Sequence, residues 1–531
     1  MEARQRRWVL GGAAAAVVAI VTAGVLVLYG EPSQGTAQGP RDDADAGEVA
    51  LDFLDAFAAG DVAAAAALTD DPAAAEATLS RATARLGVTG VETRAVPPKG
   101  DESFRDFRVT WTLGAGRTWA YDNRVHVVRT GEGRRVDWTP ALVHPRLRDG
   151  QALELRTGDG APGVVDRDGR PLLDRRAGGL EPAEKAGARI LLPSMSRLAA
   201  ERLAAAWSVV IVDARGAEVS TVHAPAGAEA GPLVSTLSGA TQRAAQTAVD
   251  EVDAPASLVA IRPSTGAILA VAQNASAGDA PTALTGLSAP GSTFKIATAT
   301  AVLGSGAAGA ETVLPCPGRD RIGTRTIPND GEFDLGAVPL RTAFAHSCNT
   351  TFARLAADLP PEALADAATS LGLNADFEIP GLTTEAGRVG PAADPVQRLE
   401  DGIGQGRVQA SPFGLALMAA TVASGQAVTP RLWRDLDTTV VSGYEPPPAG
   451  VLADVRGMMR EAVTGGTATA LAGLGDVRGK TGTAQLAGPA RAHGWFAGYR
   501  GDVAFAVLVE HAGTAEPSVR AAGTFLSGLP D

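Results

Sequence analysis

The chain has 531 residues, enough for roughly two to four domains, and its 45% hydrophobic and 20% charged residues are typical of a folded globular protein. A net charge of -12, without a basic patch interleaved with aromatic residues, argues against a nucleic-acid-binding protein. The two cysteines show no CxxC spacing and the six histidines are scattered, so no metal site and no cofactor is predicted.

An uncharged run from Trp8 to Tyr29 lies near the N-terminus. As a helix it would span roughly 33 Å, enough for the hydrocarbon core of a bilayer. Basic residues between positions 4 and 7 predict a cytoplasmic N-terminus, with the later domains outside the cell membrane. A cleaved signal peptide is the alternative, but its apolar core has about 7–15 residues, so a single-pass anchor within 1–30 is favoured. Residues 31–45, rich in Gly, Pro, Asp and Gln, are predicted to be a flexible tether.

Residues 46–150 begin with a helical pattern and continue with strands. Val49, Phe53 and Phe57 recur at every fourth position, which indicates one buried helix face. Alternating apolar residues follow between positions 107 and 138 and indicate an antiparallel sheet. Helices followed by a curled sheet predict a small α+β domain. No catalytic constellation occurs in this part, so a spacer or docking role is expected.

Two short motifs in the N-terminal half resemble known modules. The segment from Asp137-Trp138-Thr139-Pro140 to His144-Pro145 resembles the end of the cone-shaped N-terminal domain of methicillin-resistance-type penicillin-binding proteins. Residues 151–254 are predicted to form a pedestal or linker domain. Within it, Asp166-Arg167-Asp168-Gly169 looks like an element near the start of the pedestal in class B penicillin-binding proteins.

Residues 255–531 are predicted to form one α/β domain. Two apolar runs, 257–261 and 267–271, flank a Pro- and Gly-containing turn, which predicts a β-hairpin. Helical segments follow, including 411–423, and two strands lie within 495–509. Strands at both ends of the domain predict one antiparallel sheet assembled from both termini and flanked by helices.

Ser292 and Lys295 are the candidate nucleophile and base. Pro290-Gly291 breaks any preceding structure, and an apolar helical pattern begins at or next to Ser292. Residues three apart share a helix face, so the lysine amine can reach the serine hydroxyl. A lysine can act as a base, whereas an arginine stays protonated. The chain has only four lysines: Lys99, Lys185, Lys295 and Lys480.

Two further motifs follow in this domain, in the order Ser347-Cys348-Asn349 and Lys480-Thr481-Gly482-Thr483. Together with Ser292-Thr293-Phe294-Lys295, this order resembles the penicillin-recognising serine transferases and hydrolases. The flanking segments strengthen the resemblance to penicillin-binding protein transpeptidase domains: Gly404-Gln405-Gly406, Ser411-Pro412, Gly466-Thr467-Ala468, Ala484-Gln485 and His493-Gly494-Trp495-Phe496.

The resemblance implies a reaction. Ser292 would attack the carbonyl of a D-alanyl-D-alanine peptide bond and form an acyl-enzyme. Lys295 would be the base, and it must be neutral. Burial and the nearby charge of Lys480 would both lower its pKa. Ser347 would relay a proton to the leaving amine.

The resemblance also implies the substrate contacts. Asn349 would hydrogen-bond a substrate amide, and Lys480, Thr481 and Thr483 would hold the terminal carboxylate. The Lys480–Thr483 strand edge would accept an extended peptide, with Gly482 leaving room for the peptide backbone. Backbone N–H groups of the nucleophile and of Thr483 would form the oxyanion hole. If Ser347-Cys348-Asn349 is extended, its first and third side chains face the cleft together.

Cys316 and Cys348 have two interpretations. Outside the membrane the pair can form a disulfide, which stabilises by about 3–4 kcal/mol in the loop-entropy model. Two buried free thiols are the alternative.

The leading interpretation is a membrane-anchored peptidoglycan D,D-transpeptidase of class B, inhibited covalently by β-lactams. A membrane glycosyltransferase of the cell-wall machinery is the expected partner. A D,D-carboxypeptidase shares the same motifs and stays open. A class D-like β-lactamase is disfavoured, because those enzymes have an apolar residue where this chain has Asn349. A β-lactam sensor or a non-catalytic division scaffold is the alternative outside enzymes, although no HExxH motif occurs.

Overall fold

The computed structural model describes residues 45–530 except for 98–99, 101–102, 159, 177–178, 185–186, 204–206, 226–230 and 487–491. The predicted membrane anchor within 1–30 lies outside the described residues, as does all of the predicted tether except Asp45. Among the described residues, no helix is long and apolar enough to cross a membrane.

Two compact units make up the described chain. The first runs to Arg156 and includes Ser208–Ala224, and the second comprises Thr157–Trp207 and Pro225–Asp531. The domain boundaries predicted near 150 and 254 stay predictions.

The first unit contains the predicted helix and sheet. Val49, Phe53 and Phe57 are buried on one helix face, and the Phe57 ring meets the edge of Trp111 at a centroid distance of 5.3 Å. The strand Val88–Ala95 was not predicted, because its residues are partly buried or exposed and give no alternation of apolar and polar positions. The helices are Ala46–Ala58, Val62–Ala67 and Pro72–Leu86, the four-stranded antiparallel sheet is Val88–Ala95, Phe104–Leu113, Arg117–Thr130 and Gly133–Val136, and a second sheet pairs Glu218–His223, Ser208–Val212 and Ala152–Arg156.

The Asp166 turn belongs to the second unit. The Asp166 side chain is buried, and its carboxylate accepts hydrogen bonds from the backbone N–H groups of Asp168, Arg170 and Gly239 at 2.9, 2.8 and 3.2 Å. These hydrogen bonds close a turn directly after the strand Pro162–Val165. The surrounding sheet has the strand order Leu233–Val234, Pro162–Val165, Pro171–Arg176 and Gly179–Pro182.

The second unit is built around a five-stranded antiparallel sheet formed by both ends of its C-terminal part. The strand order is Ile268–Gln273, Ala256–Ile261, Val503–Val509, Ala492–Arg500 and Val477–Gln485. This confirms the predicted hairpin and the assembly of the sheet from both termini.

Helices cover both faces of this sheet, which is why its strands read as continuous apolar runs. Leu258 joins the core beneath the helices Gly239–Asp250 and Glu516–Ser527. Val259, on the opposite face, joins the core beneath Pro412–Ser424.

The remaining elements of the second unit surround this layer. The other helices are Leu192–Leu203, Thr282–Thr285, Lys295–Gly304, Leu340–Ala345, Asn349–Asp358, Ala363–Ser370, Pro395–Gly402 and Ala449–Thr464. Short strand pairs are Val313–Cys316 with Gly336–Pro339, Arg319–Ile322 with Arg325–Pro328, Asp376–Glu378 with Thr439–Ser442, and Gly387–Arg388 with Gln409–Ala410.

Candidate active site

Ser292 lies in a single 3-10 turn, Gly291–Phe294, which we call the serine turn. The turn leads directly into the helix Lys295–Gly304, as the sequence predicts. Gly291 has a φ of 54°, and a Cβ atom on it would lie 2.5 Å from the backbone oxygen of Thr483. Only glycine allows this backbone and this approach, so the serine turn rests directly on the terminal strand of the central sheet.

Gly482 makes the same contact from the strand side. A Cβ atom on Gly482 would lie 2.7 Å from the Pro290 oxygen and 2.9 Å from the Thr293 methyl carbon. Side chains alternate across a strand, and the Cβ position of Gly482 faces the serine turn. This contact requires glycine whatever ligand binds, and the predicted room for a substrate backbone stays a prediction.

The Lys295 amine contacts four oxygen atoms and is fully buried. Its Nζ lies 3.0 Å from Ser292 Oγ, 2.8 Å from the Ser347 backbone oxygen, 3.2 Å from Ser347 Oγ and 2.7 Å from Asn349 Oδ1. The Phe352 ring centroid is 5.7 Å away. The structure thus brings the predicted nucleophile, base and relay serine into direct contact.

The orientation of Asn349 fixes the protons on this amine. Asn349 Nδ2 donates to the Pro328 oxygen at 3.1 Å, so Oδ1 is the atom that faces Lys295. Both Asn349 Oδ1 and the Ser347 backbone oxygen can only accept hydrogen bonds. A neutral amine has two N–H groups and one lone pair. Those two acceptors take both N–H groups, which leaves the lone pair for the Ser292 hydroxyl.

The Ser347–Asn349 segment is not extended. Ser347 has a φ of 63°, in the left-handed region, and Asn349 is the first residue of the helix Asn349–Asp358. The tight turn, rather than strand alternation, places Ser347 and Asn349 on the same side. Cys348, between them, is buried.

Asn329 holds this segment, and no sequence pattern indicated it. Its Oδ1 accepts from the backbone N–H groups of Asn349 and Thr350 at 2.8 and 3.1 Å. Its Nδ2 donates to the oxygens of Pro317 and Phe333, each at 2.9 Å. The side chain therefore caps the N-terminus of the helix from a loop that is distant in sequence. The sequence Asn329-Asp330-Gly331 by itself indicates only a turn, so the cap could not be predicted from it.

Cys316 and Cys348 form a disulfide, with a Cα–Cα distance of 6.2 Å. Of the two interpretations of this pair, the structure therefore shows the disulfide and not the two free thiols. The bond ties the strand Val313–Cys316 to the residue between Ser347 and Asn349.

Lys480, Thr481 and Thr483 lie on the terminal strand of the central sheet. Lys480 is fully buried, and its Nζ donates to the Thr481 backbone oxygen at 3.1 Å and lies 5.7 Å from the Phe344 ring centroid. The Thr481 hydroxyl pairs with that of Thr467 at 2.6 Å. The flanking segment Gly466-Thr467-Ala468 indicates no role for Thr467 in the sequence; in the structure its hydroxyl orients that of Thr481.

Burial lowers the pKa of both lysines. For Lys295, burial is the larger cause, and the charge of Lys480 lowers its pKa further, to well below the ordinary range. Burial lowers the pKa of Lys480 to about 7. Lys295 loses its proton first, so the site holds a neutral amine beside Ser292 and a cation that titrates near neutral pH.

A cleft of about 1200 Å³ opens beside these groups. Its lining includes Ser292, Ser347, Asn349, Thr481 and Thr483. The two lysine amines lie buried behind these residues. The arrangement suits attack by the serine on a ligand bound along the strand edge.

The sequence matches two families. Residues 256–526 match the family described as "Penicillin binding protein transpeptidase domain", and residues 45–151 match the family described as "NTF2-like N-terminal transpeptidase domain". The peptidoglycan D,D-transpeptidase PbpA of Mycobacterium tuberculosis (strain H37Rv) is 32% identical over 202 residues, which cover 32% of this chain and 40% of that protein. The PbpA of Mycolicibacterium smegmatis is 30% identical over 330 residues, or 56% of this chain and 63% of that protein. The chain thus matches less than two thirds of these relatives' lengths.

Two solved structures have a similar fold. Penicillin-binding protein A from M. tuberculosis, as a ceftriaxone acyl-enzyme complex, has a TM-score of 0.58 at 20% identity, covering 71% of this chain and 99% of that one. The D,D-transpeptidase domain of a peptidoglycan glycosyltransferase from Eggerthella lenta has a TM-score of 0.55 at 24% identity, covering 70% and 98%. These likenesses confirm the predicted fold of the C-terminal part.

Proposed function

This chain belongs to the class B penicillin-binding proteins, and on that basis we propose that it is a peptidoglycan D,D-transpeptidase. The observation that carries the proposal is the buried Lys295 amine, 3.0 Å from Ser292 Oγ, with a lowered pKa and one lone pair free for the serine proton. A weakly acidic hydroxyl needs such a base to become a nucleophile.

In the first step Ser292 Oγ attacks the carbonyl carbon between the two D-alanines of a donor stem peptide. The hydroxyl proton passes to Lys295 as the new C–O bond forms. The C–N bond then breaks, and a proton reaches the leaving D-alanine amine through Ser347, whose Oγ lies 3.2 Å from the lysine. The products are an acyl-enzyme and free D-alanine.

In the second step an amine of an acceptor stem peptide attacks the acyl carbon. Lys295 takes the amine proton, a new amide bond forms, and the serine leaves as a hydroxyl after regaining a proton. Water in place of the amine would give the D,D-carboxypeptidase outcome. A β-lactam acylates the same serine, but its ring-opened leaving group stays attached, which explains covalent inhibition.

The terminal strand of the central sheet would hold the donor. The cation of Lys480 and the hydroxyls of Thr481 and Thr483 would bind its carboxylate, and Asn349 its amide. Backbone N–H groups of Ser292 and Thr483 would stabilise the oxyanion. A donor of this kind contributes about 10²–10³ in rate in other enzymes.

The proposal places the catalytic unit outside the cell membrane, anchored by a helix within 1–30 and working beside a membrane glycosyltransferase. The uncharged run from Trp8 to Tyr29 supports the anchor. Fractionation of cells, with protease treatment of intact spheroplasts, tests it. Degradation of the C-terminal unit is expected, and protection would contradict the orientation.

Mass spectrometry after penicillin treatment tests the chemistry. The full chain is incubated with penicillin, digested and searched for the adduct, which is expected on Ser292. Ser292→Ala should abolish labelling, whereas Ser305→Ala, at the other end of the same helix, should not change it. Full labelling of the Ser292→Ala variant would end the proposal. Incubation of a donor peptide with an amine acceptor then distinguishes cross-linked from hydrolysed product.

A further inference from the structure

Gln405 occupies backbone groups at the free edge of the terminal strand Val477–Gln485. Its Nε2 donates to the Thr483 oxygen at 3.0 Å, and its Oε1 accepts from the Gln485 N–H at 3.1 Å. Residues two apart in a strand direct their backbone groups to the same edge. The other edge of this strand is paired with Ala492–Arg500, so Gln405 lies on the edge that pairs with no strand among the described residues.

The loop that carries Gln405 is fixed in place. Asp401 Oδ1 accepts from the Arg407 N–H at 2.6 Å, and the Gly404 oxygen accepts from the Gly291 N–H of the serine turn at 2.9 Å. The Gln405 side chain is half-buried and lines the same cleft as Ser292. It can therefore meet a ligand that reaches the nucleophile.

We propose that Gln405 is a specificity-determining residue for ligands of this cleft. An extended peptide that adds to the free edge pairs its own N–H with the outward-facing carbonyls, and the Thr483 carbonyl is one of them. Gln405 already holds that carbonyl. A carbonyl oxygen can accept two hydrogen bonds, but Gln405 pairs with both the Thr483 carbonyl and the Gln485 N–H, in the position that a neighbouring strand would take. A ligand that offers an N–H there therefore competes with the glutamine amide, whereas a ligand without that N–H does not. The inference rests on the proposed function, because it takes the strand edge as the donor site.

The expected effect is that of one competing hydrogen bond. The net strength of such a bond corresponds to about two- to tenfold in an equilibrium constant. Gln405→Ala should therefore lower the dissociation constant of benzylpenicillin, which carries a side-chain amide N–H, by about two- to tenfold. The first-order acylation constant should stay the same, because the serine and its base are not altered.

The readout is the ratio of second-order acylation constants for benzylpenicillin and for a carbapenem. The carbapenem has a hydroxyethyl group where the penicillin has its amide. Both ligands carry a carboxylate, so a general loosening of the strand acts on both and cancels in the ratio. The ratio should rise by about two- to tenfold in Gln405→Ala.

Two variants sharpen the test. Gln405→Glu can still accept from the Gln485 N–H but cannot donate to Thr483, so the ratio should rise as it does for alanine. Gln246→Ala is the matched control: this glutamine is also half-buried, and its Nε2 donates to the Gln273 oxygen at 2.9 Å. It should leave the ratio unchanged. An unchanged ratio in both Gln405 variants, or an equal fall for both ligands, would overturn the inference.

Hydrogen exchange of the full chain separates this inference from the proposed function. The Gln485 amide should exchange faster in Gln405→Ala than in the unchanged chain, because its acceptor is gone. Unchanged exchange would show that Gln405 does not hold the edge, whether or not penicillin reacts. Failure of the proposed function would appear differently, as absence of any penicillin adduct on the unchanged chain.

Discussion

Lys480 is a buried cation that the site can lose near neutral pH. Burial lowers its pKa to about 7, and the proposed mechanism pairs its charge with the ligand carboxylate. Above that pH the free enzyme progressively loses the cation. About half of the molecules retain it at pH 7 and only about 1% at pH 9, so the second-order constant for acylation should fall about fiftyfold between pH 7 and pH 9.

At acidic pH the acylation rate should depend on pH in the opposite direction. Lys295 must be neutral to take the serine proton, and its pKa is lowered well below the ordinary range by burial and by the charge of Lys480. The rate should therefore rise with pH as Lys295 loses its proton and fall as Lys480 does, giving a bell-shaped profile. A bound carboxylate stabilises the Lys480 cation, so the descending limb should move to higher pH in the first-order constant.

Stopped-flow acylation with a fluorescent penicillin from pH 5.5 to 9.5 measures both constants. Lys480→Arg is the informative variant, because the guanidinium stays charged throughout this range. It should remove the descending limb while keeping the ascending one, and circular dichroism checks that it folds. A descending limb that persists in Lys480→Arg, or a rate that stays level to pH 9 in the unchanged chain, would refute the assignment of Lys480.

Three further predictions concern residues that hold the active-site segments in place. Gly482→Ala should abolish penicillin labelling, because its Cβ atom would lie 2.7 Å from a backbone oxygen of the segment that carries the nucleophile; Gly457→Ala, with nothing within 4 Å of its Cβ position, should label normally. Replacing both Cys316 and Cys348 by alanine should lower the free energy of unfolding by about 3–4 kcal/mol, measured by urea titration, since the disulfide closes a loop with a sequence separation of 32. Asn329→Ala should lower both the thermal midpoint of unfolding and the acylation rate, because the N–H groups of Asn349 and Thr350 lose their acceptor. Asn329→Asp keeps the acceptor and loses only the donor, so both quantities should fall less. Equal falls in the two variants would show that the cap on the helix is unimportant.

Much of the fold could be predicted because its signals are local. Continuous apolar runs indicated the central sheet, and the three-residue spacing of Ser292 and Lys295 indicated their contact, since one turn of helix sets both. The strand Val88–Ala95 gave a weak signal because its side chains are only partly buried. The membrane anchor and the domain boundaries stay predictions.

The hydrogen bonds that hold the active-site segments in place could not be predicted, because they join residues far apart in the chain. Asn329 binds backbone groups 20 and 21 positions later, and Gln405 binds those 78 and 80 positions later. A single Asn or Gln in a loop gives no periodic signal, and its partners are backbone atoms of any residue type. The contact of Gly482 with the serine turn could not be predicted for the same reason, because its partners Pro290 and Thr293 lie far away in the sequence.

The protonation state of Lys295 shows what the fold adds to the motif. No carboxylate is among the four oxygen atoms that its amine contacts, and the side chain is fully buried. A buried ammonium without a counter-ion is costly, so the neutral form is favoured before any ligand arrives. Two of the four oxygens can only accept, and they direct the remaining lone pair at the nucleophile. The motif supplies a lysine at the right spacing, and the tertiary structure makes that lysine a base.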